Sequence, residues 1–331
     1  MKAAMYAGQS RIDVREVAQP EPAPGDALIR MRASAICGSE LHDYHAPHGS
    51  GAIAGHEGVG EVITVPAGSG LALGQMVAVQ VFSGCSQCRY CLSGDWEHCA
   101  SVRFHGGTHA EYMAVPASCC RPVPADIPPE EAVLLGGDVI GTPYHAIRKL
   151  GVSAADTAAV FGCGPIGLGA IAVLRFLGAR ILAVELAPYR RALALRLGAA
   201  EAIDPAAGDP VARVRELTGG RGVEVALDCS NVADTAWQAL EAAAIGGRMA
   251  FVGEKPEAKV GPSPQFISKE LTAVGSWYFT GPDYFDILAL YRRGMSLAGL
   301  VTHSFPLAQA DRAFALFASK ETGKVLLVNG E

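Results

Sequence analysis

Gly162-Cys163-Gly164-Pro165-Ile166-Gly167 could do chemistry through backbone alone. The first glycine permits a tight turn, the second lets N–H groups approach a pyrophosphate, and the third lets helix pack on strand. The helix N-terminus then favours the phosphate charge. Such a pattern is weak in isolation. Here an apolar strand precedes it, an apolar helix follows it, and Glu185 closes the next strand 21 residues after Gly164. A carboxylate there accepts both ribose hydroxyls of NAD and repels a 2′-phosphate. Arg190 and Arg191 are near enough in sequence to meet such a phosphate, so NADP stays an alternative. A purely structural glycine turn is the bland reading.

Cys85-x2-Cys88-x2-Cys91-x7-Cys99 places four thiols within fifteen residues. Four thiolates close a tetrahedron around Zn2+ and leave no position for a substrate, so such a site is structural. An iron–sulfur cluster and reduced free thiols are the competing readings. A third set is dispersed: Cys37-Gly38-Ser39-Glu40-Leu41-His42, then Gly55-His56-Glu57, then Asp138. It offers a thiolate, an imidazole and carboxylates, which an open catalytic zinc needs. Nothing local forces Asp138 to join Cys37, and buried Cys or His is often mere packing.

These residues need elements to hold them. The chain has 331 residues, enough for about two domains. Half of them are hydrophobic and 18% charged, a globular composition. Its 27 basic against 33 acidic residues give a net charge of −6, which argues against nucleic acid as a partner. Met1–Ala7 is short and mixed, with no apolar stretch of signal-peptide type after it. No run is long enough and free enough of charge to span a membrane. A soluble, cytoplasmic protein is expected, and nine cysteines, an odd number, speak against a disulfide framework.

To about residue 145 the sequence predicts short strands: Lys2–Tyr6, Ile12–Val17, Ala27–Ala35, Gly60–Val65 and Met76–Val81, punctuated by Pro and Gly. The cysteine-rich segment interrupts them. From about 157 the period changes. Strands at Thr157–Phe161, Arg180–Glu185, Val223–Asp228, Arg248–Gly253 and Leu271–Gly275 alternate with helices, among them Pro188–Leu197, Pro210–Leu217 and Ala233–Ala244. This is the pattern of a doubly wound parallel α/β sheet. Helices at Asp283–Arg293 and Leu307–Ser319 and a strand at Lys324–Val328 complete the chain.

Five stretches, in this order, resemble the zinc-containing medium-chain dehydrogenase/reductase family, of the alcohol, sorbitol and threonine dehydrogenase kind. They are Cys37-Gly-Ser-x-x-His42, Gly55-His-Glu-Gly-x-Gly60, the four-cysteine lobe, Gly162-x-Gly-x-x-Gly167 and Gly323-Lys-Val-Leu-Leu. The resemblance covers nearly the whole chain. It implies an α/β protein in which a Rossmann doubly wound parallel sheet, residues 143–293, binds NAD. Residues 1–142 and 294–331 would form a β-rich GroES-like catalytic domain carrying the four-cysteine zinc lobe over 82–100. One catalytic and one structural zinc per chain are expected.

By that resemblance Cys37, His56 and Asp138 are ligands of the catalytic zinc. Glu57 is a neighbouring carboxylate that can approach or replace a ligand. Ser39 and His42 occupy the proton-relay positions. Thr142 packs near the nicotinamide, and Val252 and Gly253 line its pocket through backbone groups. Gly162, Gly164, Pro165, Ile166, Gly167, Glu185 and Arg190 complete the cofactor residues. The alcohol dehydrogenases that name the family carry a second cysteine where Asp138 stands. A carboxylate resembles the polyol, threonine and secondary-alcohol branches.

The expected activity is oxidation of a secondary alcohol to a ketone, zinc acting on the substrate oxygen as a Lewis acid. Glu40, His45, His48, Trp277 and Tyr278 are candidates to line a cleft, and their polarity favours a polyol, sugar or aminocyclitol. Threonine or a simple secondary alcohol is the alternative. Two rival readings are a metal-free reductase of the same fold and a non-catalytic NAD-binding protein. His105 and His109 read as exposed or turn-capping, with His105 able to border the cleft. A homodimer or homotetramer is implied through edge strands of the nucleotide domain.

Overall fold

The computed structural model describes residues 1–330. They fall into two units, Met1–Asp138 with Thr280–Asp286 and Val301 onward, and Val139–Phe279 with Ile287–Leu300. The expected boundaries lay at 142/143 and 293/294. Thr280–Asp286 goes with the first unit because hydrogen bonds tie it there: Gly281 N–H donates to the Gly94 carbonyl at 3.0 Å, and Tyr284 Oη to the Pro122 carbonyl at 2.8 Å.

In the first unit, alternating apolar runs pair as the period-2 pattern requires. Lys2–Gly8 and Arg11–Glu16 form an antiparallel hairpin. A second sheet runs in the order Val301–Pro306, Lys324–Val328, Asp26–Ala35, Gly58–Thr64, Met76–Val79, Cys120–Pro122, and Tyr112–Pro116 also pairs with Asp26–Ala35. The helix Ala310–Ala318 buries Phe314 and Phe317 among Tyr6, Ile36 and Tyr44. Each such ring contributes about 2 kcal/mol by leaving water. Two helices, Pro129–Leu135 and Asp138–Leu150, stand in a stretch where the sequence predicts only short strands.

The second unit holds a six-stranded, all-parallel sheet in the order Glu201–Ile203, Arg180–Val184, Thr157–Phe161, Val223–Asp228, Ala243–Phe251, Thr272–Gly275. Numbered along the chain, that is the 3-2-1-4-5-6 order of dinucleotide-binding folds. Its central strands are buried along most of their length because helices cover both faces. The strand beginning at Ala243 corrects the expectation of a helix to 244. Gly246, at φ 70°, lies inside this strand, in the stretch where its register with Val223–Asp228 shifts. Among the described residues no helix is long and apolar enough to cross a membrane.

Candidate active site and metal centres

Three neighbouring strands bring the dispersed residues to one edge. Asp26–Ala35 runs out into Cys37, which caps the short turn Gly38–Glu40. Gly58–Thr64 pairs with it antiparallel, Ser34 opposite Gly58, so His56 and Glu57 lie at the same end. On the other side Lys324–Val328 pairs Leu326 with Ala35, which delivers Lys324. Asp138 opens the helix that follows Gly136-Gly137. A Cβ on Gly137 would sit 2.5 Å from Glu57 Oε2, so only glycine allows this approach.

Ligand atoms of Cys37, His56, Glu57 and Asp138 all lie within 4.8 Å of one another. Asp138 Oδ2 is 3.6 Å from Cys37 Sγ and 3.2 Å from His56 Nε2. Ser39 Oγ lies 3.4 Å from Cys37 Sγ, its hydroxyl donating to the sulfur. Glu57 accepts from the Asp138 backbone N–H at 3.0 Å through one oxygen and pairs with Lys324 through the other. The carboxylate expected to approach the metal is thus already engaged on both oxygens.

The electrostatics ask for a cation. Four acidic groups (Cys37, Glu40, Glu57, Asp138) converge, with Lys324 the ammonium among them. Burial would lower His56, yet Cys37, Asp138 and Glu40 drive it well above its ordinary value. Burial would raise Glu40, but His109 and His56 hold it down to about 2. Asp138 Oδ1 is buried without a hydrogen-bond partner. A thiolate, an imidazole and a carboxylate around one point, with an orphaned carboxylate oxygen, fit a zinc with an open position.

The four-cysteine lobe fits a closed zinc. All four sulfurs lie within 4.8 Å of one another, against about 3.8 Å between ligands of a regular zinc–thiolate tetrahedron. The Cys85 and Ser101 N–H groups each donate to Cys99 Sγ at 3.3 Å. N–H groups of Gln87 and Cys88 pull the Cys85 thiol down to about 6. A Cβ on Gly84 would lie 2.3 Å from Cys91 Sγ. All nine cysteines are free of disulfides.

At the nucleotide end, Gly162 has φ 86°, and a Cβ on Gly167 would lie 1.9 Å from the Gly162 carbonyl oxygen. Gly164 caps the helix Pro165–Leu177, with Pro165 in its first turn and Ile166 following. Glu185 is buried beside this turn and accepts from the Cys163 N–H at 2.6 Å and the Ala187 N–H at 2.8 Å. Each oxygen keeps a second lone pair. Arg190 is buried, and burial depresses its pKa. Arg191 pairs with Asp204 at 2.7 Å. The Val252 and Gly253 N–H groups both donate to the Asp228 carbonyl, so their carbonyls are what remain for a ligand. Thr142 is buried on its helix.

Two expectations are corrected here. Glu40 lines no cleft: it is 3% exposed, between His56 and His109. His109 is neither exposed nor turn-capping but fully buried, while His105 is half-buried and bonded to Ser83 Oγ at 2.7 Å. Lys324 is a site residue to which the sequence motif Gly323-Lys-Val-Leu-Leu attaches no role. Its signal was a lone charge opening the apolar run Lys324-Val-Leu-Leu-Val.

Residues 23–125 match the profile of the alcohol dehydrogenase GroES-like domain and residues 165–293 that of the zinc-binding dehydrogenases. The L-threonine 3-dehydrogenase of Caldanaerobacter subterraneus subsp. tengcongensis is 32% identical over 327 residues, covering 93% of this chain and 92% of its own. Alcohol dehydrogenase TADH from Thermus sp. ATN1 has a TM-score of 0.91 at 33% identity, with 100% of both chains covered. The 2R,3R-butanediol dehydrogenase from Bacillus subtilis has a TM-score of 0.87 at 29% identity over 99% of each chain. The chain belongs to the zinc-containing medium-chain dehydrogenase/reductase family. It is an oxidoreductase acting on CH–OH groups, with zinc and NAD as cofactors.

Proposed function

We propose that the chain oxidises a secondary alcohol to a ketone, with Cys37, His56 and Asp138 holding the catalytic zinc. The observation that carries this is the approach of Cys37 Sγ and His56 Nε2 to one oxygen of Asp138, at 3.6 and 3.2 Å, from three separate segments. A zinc held there would supply Lewis acidity toward the substrate oxygen, and a bound NAD would supply the hydride acceptor. The Ser39 hydroxyl would accept the alcohol proton as it passes its own to the cofactor ribose, and the exposed His42 would take the proton from the ribose and release it to water. With the Cys37 thiolate and the Asp138 carboxylate a bound Zn2+ would sum to zero charge, and Lys324 offsets Glu57 beside it. Cys85, Cys88, Cys91 and Cys99 hold the structural zinc.

NAD is the preferred dinucleotide. Glu185 stands at the ribose end of the Gly-rich turn, and Asp204 already occupies Arg191, which could otherwise meet a 2′-phosphate. The substrate is a polyol, sugar or aminocyclitol, a reading supported by the exposed His45 and His48 and no longer by Glu40. A second reading, threonine, is favoured by the threonine dehydrogenases among the relatives. Both classes carry secondary hydroxyls. Initial rates of NAD reduction with polyols, aminocyclitols, threonine and primary alcohols, at equal enzyme, decide between them. Turnover restricted to primary alcohols contradicts both.

A homo-oligomer through the edge strand Thr272–Gly275 is part of this reading, supported by the exposed Trp277 and Ile267 around it. Light scattering on the purified chain tests it. Free thiols throughout suit the reducing cytoplasm.

A further inference from the structure

His109 is fully buried, yet both ring nitrogens meet polar partners: Nδ1 lies 2.8 Å from Ser34 Oγ and Nε2 3.0 Å from Glu40 Oε2. The other oxygen of Glu40 lies 3.1 Å from His56 Nδ1, a charge contact without hydrogen-bond alignment. His56 turns its Nε2 toward Asp138. A polar path therefore runs Ser34–His109–Glu40–His56 through the interior and ends on a metal-site imidazole.

We propose that His109 is a positioning residue for the catalytic metal: it holds Glu40, and through Glu40 it fixes His56 with Nε2 directed at the zinc. This rests on Cys37, His56 and Asp138 being the ligands. A carboxylate carries no proton, so the nitrogens facing Glu40 carry theirs. Nε2–H of His109 donates to Glu40, and Nδ1 of His109 accepts from the Ser34 hydroxyl. On His56 the proton sits on Nδ1, which leaves the Nε2 lone pair for the metal.

The surroundings hold His109 rigidly. Its N–H donates to the Ala54 carbonyl and its carbonyl accepts from the Ala4 N–H, both at 2.9 Å. Phe314 stands edge-on to its ring, 5.7 Å between centroids. A Cβ on Gly55 would lie 2.6 Å from His109 Cγ, so the loop leading into His56 rests directly on this ring. Without His109, Glu40 Oε2 would be a buried carboxylate oxygen with no partner. The group would protonate or turn away, and either response releases His56.

The test compares His109→Phe, which keeps a packing ring, with His109→Gln, which keeps an N–H near the Nε2 position. Zinc release to a chelator is followed per chain in resting protein, with the four-cysteine zinc as internal control, and Co2+ in the catalytic site gives a visible spectrum. His109→Phe is expected to lose the catalytic metal roughly 10–100-fold more readily and to shift the cobalt bands. His109→Gln should stay close to the parent, and the four-cysteine zinc should be unchanged. Parent-like retention and spectrum in His109→Phe overturn the proposal. If that variant does not fold, His109→Asn replaces it: its amide reaches Ser34 but not Glu40, so it must show the same loss, and native retention overturns the proposal. A parent protein holding zinc in the four-cysteine lobe alone would instead overturn the reading of the catalytic site.

Discussion

Lys324 and Glu57 form an ion pair whose side chains are 0% and 1% exposed. Burial would lower Lys324, but Glu57, Cys37 and Asp138 raise it, so the ammonium stays charged. Lys324→Met leaves Glu57 buried without its partner and should cost about 3–5 kcal/mol. Lys324→Met with Glu57→Gln should recover much of that. Denaturant unfolding of both variants measures it. A Lys324→Met variant as stable as the parent would contradict the pair's role in holding Glu57.

On the proposed reading Glu185 and Asp204 both favour NAD, Glu185 by its carboxylate beside the Gly-rich turn and Asp204 by occupying Arg191. Glu185→Ser removes the carboxylate beside the Gly-rich turn and should lower kcat/KM for NAD roughly 10–100-fold, the worth of hydrogen bonds to a charged group. Adding Asp204→Ala frees Arg191 from its 2.7 Å partner and should raise kcat/KM for NADP further. Steady-state kinetics with both dinucleotides read the ratio. An unchanged ratio in the double variant contradicts the assignment.

Cys99 receives two backbone N–H groups besides its place in the sulfur cluster. Cys99→Ser should drop the zinc count from two to one and destabilise the chain by about 4 kcal/mol, as loss of a structural metal does. Protease cleavage between residues 85 and 100 should appear where the parent resists. Metal analysis and limited proteolysis check both. A full zinc content in this variant would count against a four-thiolate site.

The motifs most legible in the sequence are those whose parts are neighbours. The glycines from 162 to 167 and the four cysteines declare themselves by spacing, because one turn or one knuckle brings their atoms together. Asp138 is different. It lies 81 residues beyond Glu57 and reaches it through the helix Asp138–Leu150, whose period Gly141 and Pro143 obscure. Only family resemblance linked it to Cys37.

His109 is hidden from a sequence reading for a related reason. Gly106 and Gly107 before it look like a surface turn, but Gly55, distant in sequence, leaves the space that the imidazole fills. Glu40 looked like a cleft residue because a short turn usually faces water. Its burial follows from two histidine partners, one 16 and one 69 residues away. Partners of that kind leave no local periodicity.

The most direct test of the account is the Cys37→Ser variant, with zinc counted per chain, NADH binding by fluorescence, and NAD reduction with a secondary alcohol measured side by side. The account predicts one zinc in place of two, NADH binding as in the parent, and turnover lower on the order of a thousandfold. Two zinc per chain, or parent-like turnover with one, would contradict it.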